Sequence, residues 1–128
     1  MRSDDTDMTV EAKKETGAGW SVDKTLEHLG GDETLMMEVL DIFLAEAPKH
    51  LAALRVAVTQ GAAGSVESAA HTLKGELGYL GIPEISRMAA QLEDMGRTHN
   101  LAGAPALLSQ FEANVTPLFA AVRQAVSR

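Results

Sequence analysis

The sequence predicts an all-α protein, an antiparallel bundle of helices, and three observations carry that prediction. Apolar residues recur every three or four positions over long stretches, as in Leu35, Met36, Val39, Leu40, Phe43, Leu44 and Ala47. That is the period of a helix with one buried face. Aromatic residues make up only 4% of a chain that is 45% hydrophobic, so Ala, Leu, Val and Met must fill the core. Such a composition suits closely packed helices better than a β-sandwich. No stretch alternates as a half-buried strand does.

Each element follows from local signals. Residues 1–19 are polar and end in Gly-Ala-Gly, which reads as a mobile tail ahead of one domain over residues 20–128. Ser21 or Asp23 can cap a short helix containing Leu26 and Leu29. Gly30-Gly31 breaks it, and Asp32 is placed to cap a second helix. Pro48 interrupts that helix, yet the apolar spacing resumes at Leu51, Leu54 and Val58, so one continuous helix with a bend is expected. Residues 60–65, Gln-Gly-Ala-Ala-Gly-Ser, read as a loop with Ser65 as the next cap. A third helix is expected over about residues 66–80, with Val66, Ala69, Ala70, Leu73, Leu77 and Leu80 in one stripe. Pro83 suits the first turn of a fourth helix, which buries Ile85, Met88, Ala89, Leu92 and Met95 and closes over Gly96 to Asn100. A fifth follows Pro105, with Pro117 expected to kink it.

Composition also excludes chemistry. The absence of cysteine removes disulfides, thiolate metal sites and a cysteine nucleophile. A formal net charge of −7 repels phosphate backbones, so nucleic-acid binding is not expected. No apolar run reaches the length of a membrane span. The N-terminal residues have no apolar core of a secretion signal, so the expected location is the cytoplasm.

The third helix holds the one distinctive feature, in Ala-Ala-His-Thr-Leu-Lys-Gly-Glu-Leu-Gly-Tyr-Leu-Gly over residues 69–81. At about 100° per residue, His71 points roughly 150° from the centre of the apolar stripe. It therefore faces outward, as do Gly75 and Gly78, while Lys74 lies nearer the core boundary. Gly75, one turn on, removes the side chain that would keep a partner away from the imidazole. Lys74 can offset the negative charge of a phosphoryl group. A neutral imidazole is a competent nucleophile near neutral pH. No phosphate-binding glycine loop, acidic metal cluster or general-base partner accompanies it, so the remaining machinery must come from another protein. Gly81 reads as the stop signal of the helix. A lone outward histidine is most often merely solvated; the solvent-facing His-x-x-Lys-Gly pattern in a helical bundle argues for function.

These residues, with Leu-Glu-Asp-Met-Gly-Arg at 92–97 and residues 30–61 ahead of them, resemble the histidine-containing phosphotransfer (HPt) domain of multistep phosphorelays over about residues 20–126. The resemblance implies an elongated four-helix bundle with an extra short N-terminal helix. It implies that His71 accepts and donates the phosphoryl group, that Lys74 helps hold its oxygens and that Gly75 leaves room for the partner. The partners it implies are response-regulator receiver domains and a sensor or hybrid histidine kinase, with the Mg²⁺ in the receiver and no cofactor or ATP site in this chain, a monomer. Glu93 matches a polar position near the histidine. Gly78, Leu26, Leu29, Leu40 and Leu44 are implied at the docking surface. Two residues depart from the pattern: Glu76 stands where a small residue is common, and Ala62 and Ala63 stand where an acidic cap is common.

His28, His50 and His99 share no metal-ligand spacing with each other or with His71, and His28 and His50 read as surface residues. His99 lies where a cation suits the end of the fourth helix. Two other readings stay open. One is a module of the same fold that binds a kinase or receiver without transferring phosphate. The other is the phosphorylated-histidine domain of a chemotaxis-type kinase, which would require an ATP-binding domain that these residues do not contain.

Overall fold

Ser21 starts the first helix by accepting a hydrogen bond from the Lys24 N–H at 3.2 Å. The structure, a computed structural model, describes residues 19–127; the expected tail at 1–18 lies outside them. Five helices form among the described residues: α1 (Val22–His28), α2 (Glu33–Gln60), α3 (Ala63–Gly78), α4 (Pro83–Arg97) and α5 (Ala104–Val126). No strand forms among them, and none of these helices is long and apolar enough to cross a membrane. Connections of a few residues force consecutive long helices to run antiparallel. α3 packs on α2 and α4, and α5 closes the square against the same two helices. The result is an antiparallel four-helix bundle with α1 added at one end. At 1.5 Å per residue, α2 alone is about 42 Å long, which makes the bundle elongated.

The caps are mostly as the sequence predicts. Asp32 accepts from the Leu35 N–H at 3.0 Å and starts α2. Pro48 lies inside α2 and Pro117 inside α5, and neither ends its helix. The start of α3 differs. Gly61 takes a left-handed conformation, φ 66°, and ends α2. The chain then re-enters a helix at Ala63, with the Val66 N–H donating to the Ala62 carbonyl at 2.9 Å. The expected loop over 60–65 shrinks to two residues, and Ser65 lies inside α3 instead of capping it. No side chain caps this end; α3 starts there because its first turn packs against α4. α4 ends at Arg97, within the expected closing stretch Gly96 to Asn100, with Gly96 still inside the helix.

α1 is fastened by a buried polar relay. The Trp20 indole N–H donates to Thr25 Oγ1 at 2.7 Å, and the Thr25 hydroxyl donates to the Leu80 carbonyl at 2.9 Å. That carbonyl lies just past α3, where the chain needs a partner for an orphaned end group. Gly81, φ 75°, turns the chain away beside the Lys24 carbonyl. The core runs along the bundle axis through Leu40, Leu54, Leu73, Leu77, Leu92 and Phe111. Phe43 and Phe119 join α2 to α5 with ring centroids 5.4 Å apart. Leu40 is fully buried, so it cannot serve the docking surface to which the resemblance assigned it; its side chain is needed in the core.

Candidate functional site

His71 and Lys74 lie three residues apart on α3 and so share a flank, and that flank faces α4. The two helices cross closely because α4 presents Gly96 at the contact. A Cβ there would stand 2.5 Å from the Glu67 nitrogen and 2.7 Å from the Ala63 carbonyl oxygen. Glu93, one turn before Gly96, is thereby brought opposite His71 and Lys74. His71 Nδ1 lies 2.8 Å from Glu93 Oε2, and Lys74 Nζ lies 2.7 Å from Glu93 Oε1. One carboxylate bridges both basic side chains. Further along the crossing, the Ser86 hydroxyl donates to the Lys74 carbonyl at 3.4 Å.

Burial separates the members of this group. The Glu93 side chain is 14% exposed and that of His71 is 67% exposed, so the carboxylate sits at the base and the imidazole stands in solvent. The hydrogen bond from Lys74 holds the Glu93 carboxyl below its ordinary value of 4.5; burial opposes this, and the bond to His71 adds to it. An ionised carboxylate can only accept hydrogen bonds. His71 Nδ1 must therefore carry the proton, and in the neutral ring this leaves the lone pair on Nε2. Spacing alone could not offer Glu93 as the partner acid of His71, because it is 22 residues away and reaches it through tertiary packing; the family resemblance is what placed it near the histidine.

The lowered value fixes the direction of a pH effect. A carboxyl whose folded-state pKa is depressed stabilises the fold above its unfolded value, and that contribution is lost as pH falls through the folded one. The Glu93→Gln variant is expected to melt below wild type at neutral pH and to close the gap in acid, as the pH falls through the depressed value and Glu93 is neutralised. An equal gap at both pH values would mean that Glu93 acts by packing alone.

The other expected residues fall into two groups. Gly75 and Gly78 have open space where a Cβ would stand, so neither is required for helix packing. Leu26, Leu29 and Leu44 are half-buried and pack against the core, leaving little of each for a partner. Among the exposed apolar residues are Leu35 and Ile42 of α2 and Tyr79, just past α3. With the half-buried Val39, they form a second stripe beside the core stripe of Met36, Leu40 and Phe43. Its sequence signal is the width of the apolar face of α2, broader than one packed stripe needs. His50, expected at the surface, is half-buried: its Nδ1 lies 2.8 Å from Glu76 Oε2. Glu76 turns to α2 and away from His71.

Comparisons with known proteins agree with this arrangement. The family model of the Hpt domain matches residues 38–125. Histidine-containing phosphotransfer protein B (HptB) from Pseudomonas aeruginosa PAO1 is similar in structure at TM-score 0.67 and 29% identity, over 82% of this chain and 89% of that one. The HPT domain of the Hpt sensor hybrid histidine kinase from Shewanella superposes at TM-score 0.77 over 84% of this chain and 93% of that one. At 21% identity this second likeness speaks for the fold alone. Comparison of the sequence with curated proteins gives no significant match. The family match spans well over half of the chain and falls on the helices that build the site, so the chain belongs to the Hpt domain family, the phosphotransfer domains of two-component systems.

Proposed function

We propose that this Hpt domain is a phosphorelay intermediate whose carrier is His71, accepting the phosphoryl group from the aspartate of one receiver domain and passing it to another. The observation that carries this reading is the exposed imidazole whose Nδ1 is fixed on an ionised Glu93. Its Nε2 lone pair attacks the phosphorus of an aspartyl phosphate in line. The N–P bond forms as the bond from phosphorus to the aspartyl oxygen breaks, and the aspartate leaves with the electron pair as a carboxylate. The Nδ1 proton stays on the ring. The positive charge that the ring gains is stabilised by Glu93, and the Lys74 ammonium offsets negative charge on the phosphoryl oxygens. The reverse attack, by the aspartate of a second receiver, regenerates free His71. The receiver supplies Mg²⁺, and the exchange takes place in the cytoplasm within a domain that spans residues 20–128.

The direct test is a panel of purified receiver domains charged with radiolabelled acetyl phosphate and Mg²⁺. Transfer is expected to leave an acid-labile, alkali-stable label on this chain, as a phosphoramidate linkage does. Binding to a charged receiver without label would favour the non-transferring adaptor instead.

Gly75→Ala separates docking from folding. Glycine costs a helix about 1 kcal/mol relative to alanine, and nothing in the fold lies near the new Cβ. The variant is expected to be more stable by about 1 kcal/mol and to accept the phosphoryl group more slowly, because a methyl stands beside the imidazole. Greater stability with unchanged transfer would remove the steric role of Gly75.

A further inference from the structure

Glu76 is left unexplained by the relay chemistry. Its Oε2 meets His50, but its Oε1 is buried without any hydrogen-bond partner. A buried polar atom in that state costs about 1–3 kcal/mol, and native proteins keep few of them without a reason. Burial pushes the Glu76 carboxyl up from its ordinary range, opposed by the neighbouring His50 and assisted by Glu46. Glu76 also lines a cavity of about 390 Å³ between α2 and α3 whose other lining residues are Val39, Ile42, Phe43 and Tyr79. Ile42 and Tyr79 are 61% and 58% exposed. They are the lining side chains free to swing aside for an entering group.

The charge around the cavity has one sign in excess. Glu38 and Glu46 stand one turn to either side of Ile42, with Asp41 beside it. Lys49 is engaged by Glu46 at 3.4 Å, and Lys74 is turned to Glu93 on the opposite flank of α3. An occupant must therefore offer an apolar stem to Ile42, Phe43 and Tyr79 and a cationic donor to Glu76. Arginine fits best, because its guanidinium stacks on an aromatic face and forks onto a carboxylate. Glu76 and Tyr79 lie five and eight residues beyond His71, roughly 7.5 and 12 Å along the helix axis. His71 and the cavity lie on opposite flanks of α3, so a partner must lie across the outer face of that helix to meet both, and a footprint of about 800 Å² is wide enough to do so.

We propose that this cavity is a specificity pocket that seats an arginine side chain of the partner docked over His71, with the Glu76 carboxylate as its counter-charge. That the partner is a receiver domain rests on the relay reading above; the pocket itself does not. In this view Glu76, standing where the family pattern commonly has a small residue, restricts which receivers this chain accepts.

The probe is N-acetyl-arginine methylamide, titrated into the ¹⁵N-labelled full chain beside its neutral isostere N-acetyl-citrulline methylamide. Saturable amide shifts are expected at Ile42, Phe43, Glu76 and Tyr79, with apparent affinity for the arginine compound at least fivefold above that for citrulline. Glu76→Gln, which keeps an oxygen for His50, is expected to bring the two compounds level while leaving the spectrum folded. Equal affinities in wild type, shifts centred elsewhere, no binding, or an arginine preference that survives in Glu76→Gln would each overturn the proposal. Probe binding with no phosphotransfer from any receiver would sink the relay reading and leave the pocket. Transfer without probe binding would sink the pocket alone.

Discussion

His71→Gln is expected to reduce labelling by a charged receiver to background while leaving the melting temperature close to that of wild type. An amide nitrogen has no available lone pair to attack phosphorus, so the N–P bond cannot form. The glutamine amide can still donate a hydrogen bond toward Glu93, and two-thirds of the His71 side chain is already in solvent. Substitutions at such exposed positions usually change stability by about 0.5 kcal/mol or less. The loss should therefore appear in transfer and not in unfolding. Three other histidines make the experiment discriminating. If the label persists in His71→Gln, then His28, His50 or His99 carries it, and the geometry assigned to the site is wrong.

Gly96→Ala is expected to cause the largest loss of stability of any single methyl added to this domain. The new Cβ would meet backbone atoms of α3 at 2.5–2.9 Å, and backbone cannot move aside as a flexible side chain can. The helices must separate or slide. Overpacking of this kind typically costs about 1–3 kcal/mol, and the gain in helix propensity of about 1 kcal/mol offsets only part of it. Urea titration should show a midpoint clearly below wild type, opposite in sign to the change expected for Gly75→Ala. Glu93 lies one turn from the clash, so the bridge to His71 and Lys74 should loosen as well. A Gly96→Ala protein as stable as wild type would mean that α3 and α4 do not cross this closely.

These two glycines show what a sequence can and cannot disclose. The outward position of Gly75 was readable because periodicity supplies the angle of one helix face, and open space does stand where its Cβ would be. The same reasoning placed His71 in solvent, whereas Gly81, expected to stop the helix, stands three residues past its end at Gly78 and turns the chain there. Gly96 read only as the first residue of the stretch that closes the fourth helix. Its actual place is set by the backbone of another helix, and no local pattern encodes that distance. Glu93 and Glu76 repeat the lesson. Each meets a histidine more than 20 residues away, and the pairing depends on helix register in the bundle. Leu40 failed for a different reason. α2 carries two adjacent apolar stripes, and spacing alone does not say which of them the core takes; packing buries Met36, Leu40 and Phe43 and leaves Leu35 and Ile42 outside. The start of α3 escaped because it has no capping side chain to announce it.

The site is economical in its parts. One carboxylate at the base of the α3–α4 crossing orients the imidazole and anchors the lysine, and the exposed ring nitrogen is left for the partner. In the proposed relay, everything else that phosphoryl transfer requires, metal and in-line alignment above all, would fall to the receiver. The central claim is thus a claim about one atom, His71 Nε2. It is tested most directly by NMR of the ¹⁵N-histidine-labelled chain after phosphorylation by a charged receiver, reading which imidazole nitrogen is coupled to phosphorus. The account predicts a single phosphorus on Nε2 of His71, with Nδ1 still protonated toward Glu93. Phosphorus on Nδ1, or on any residue other than His71, would contradict it.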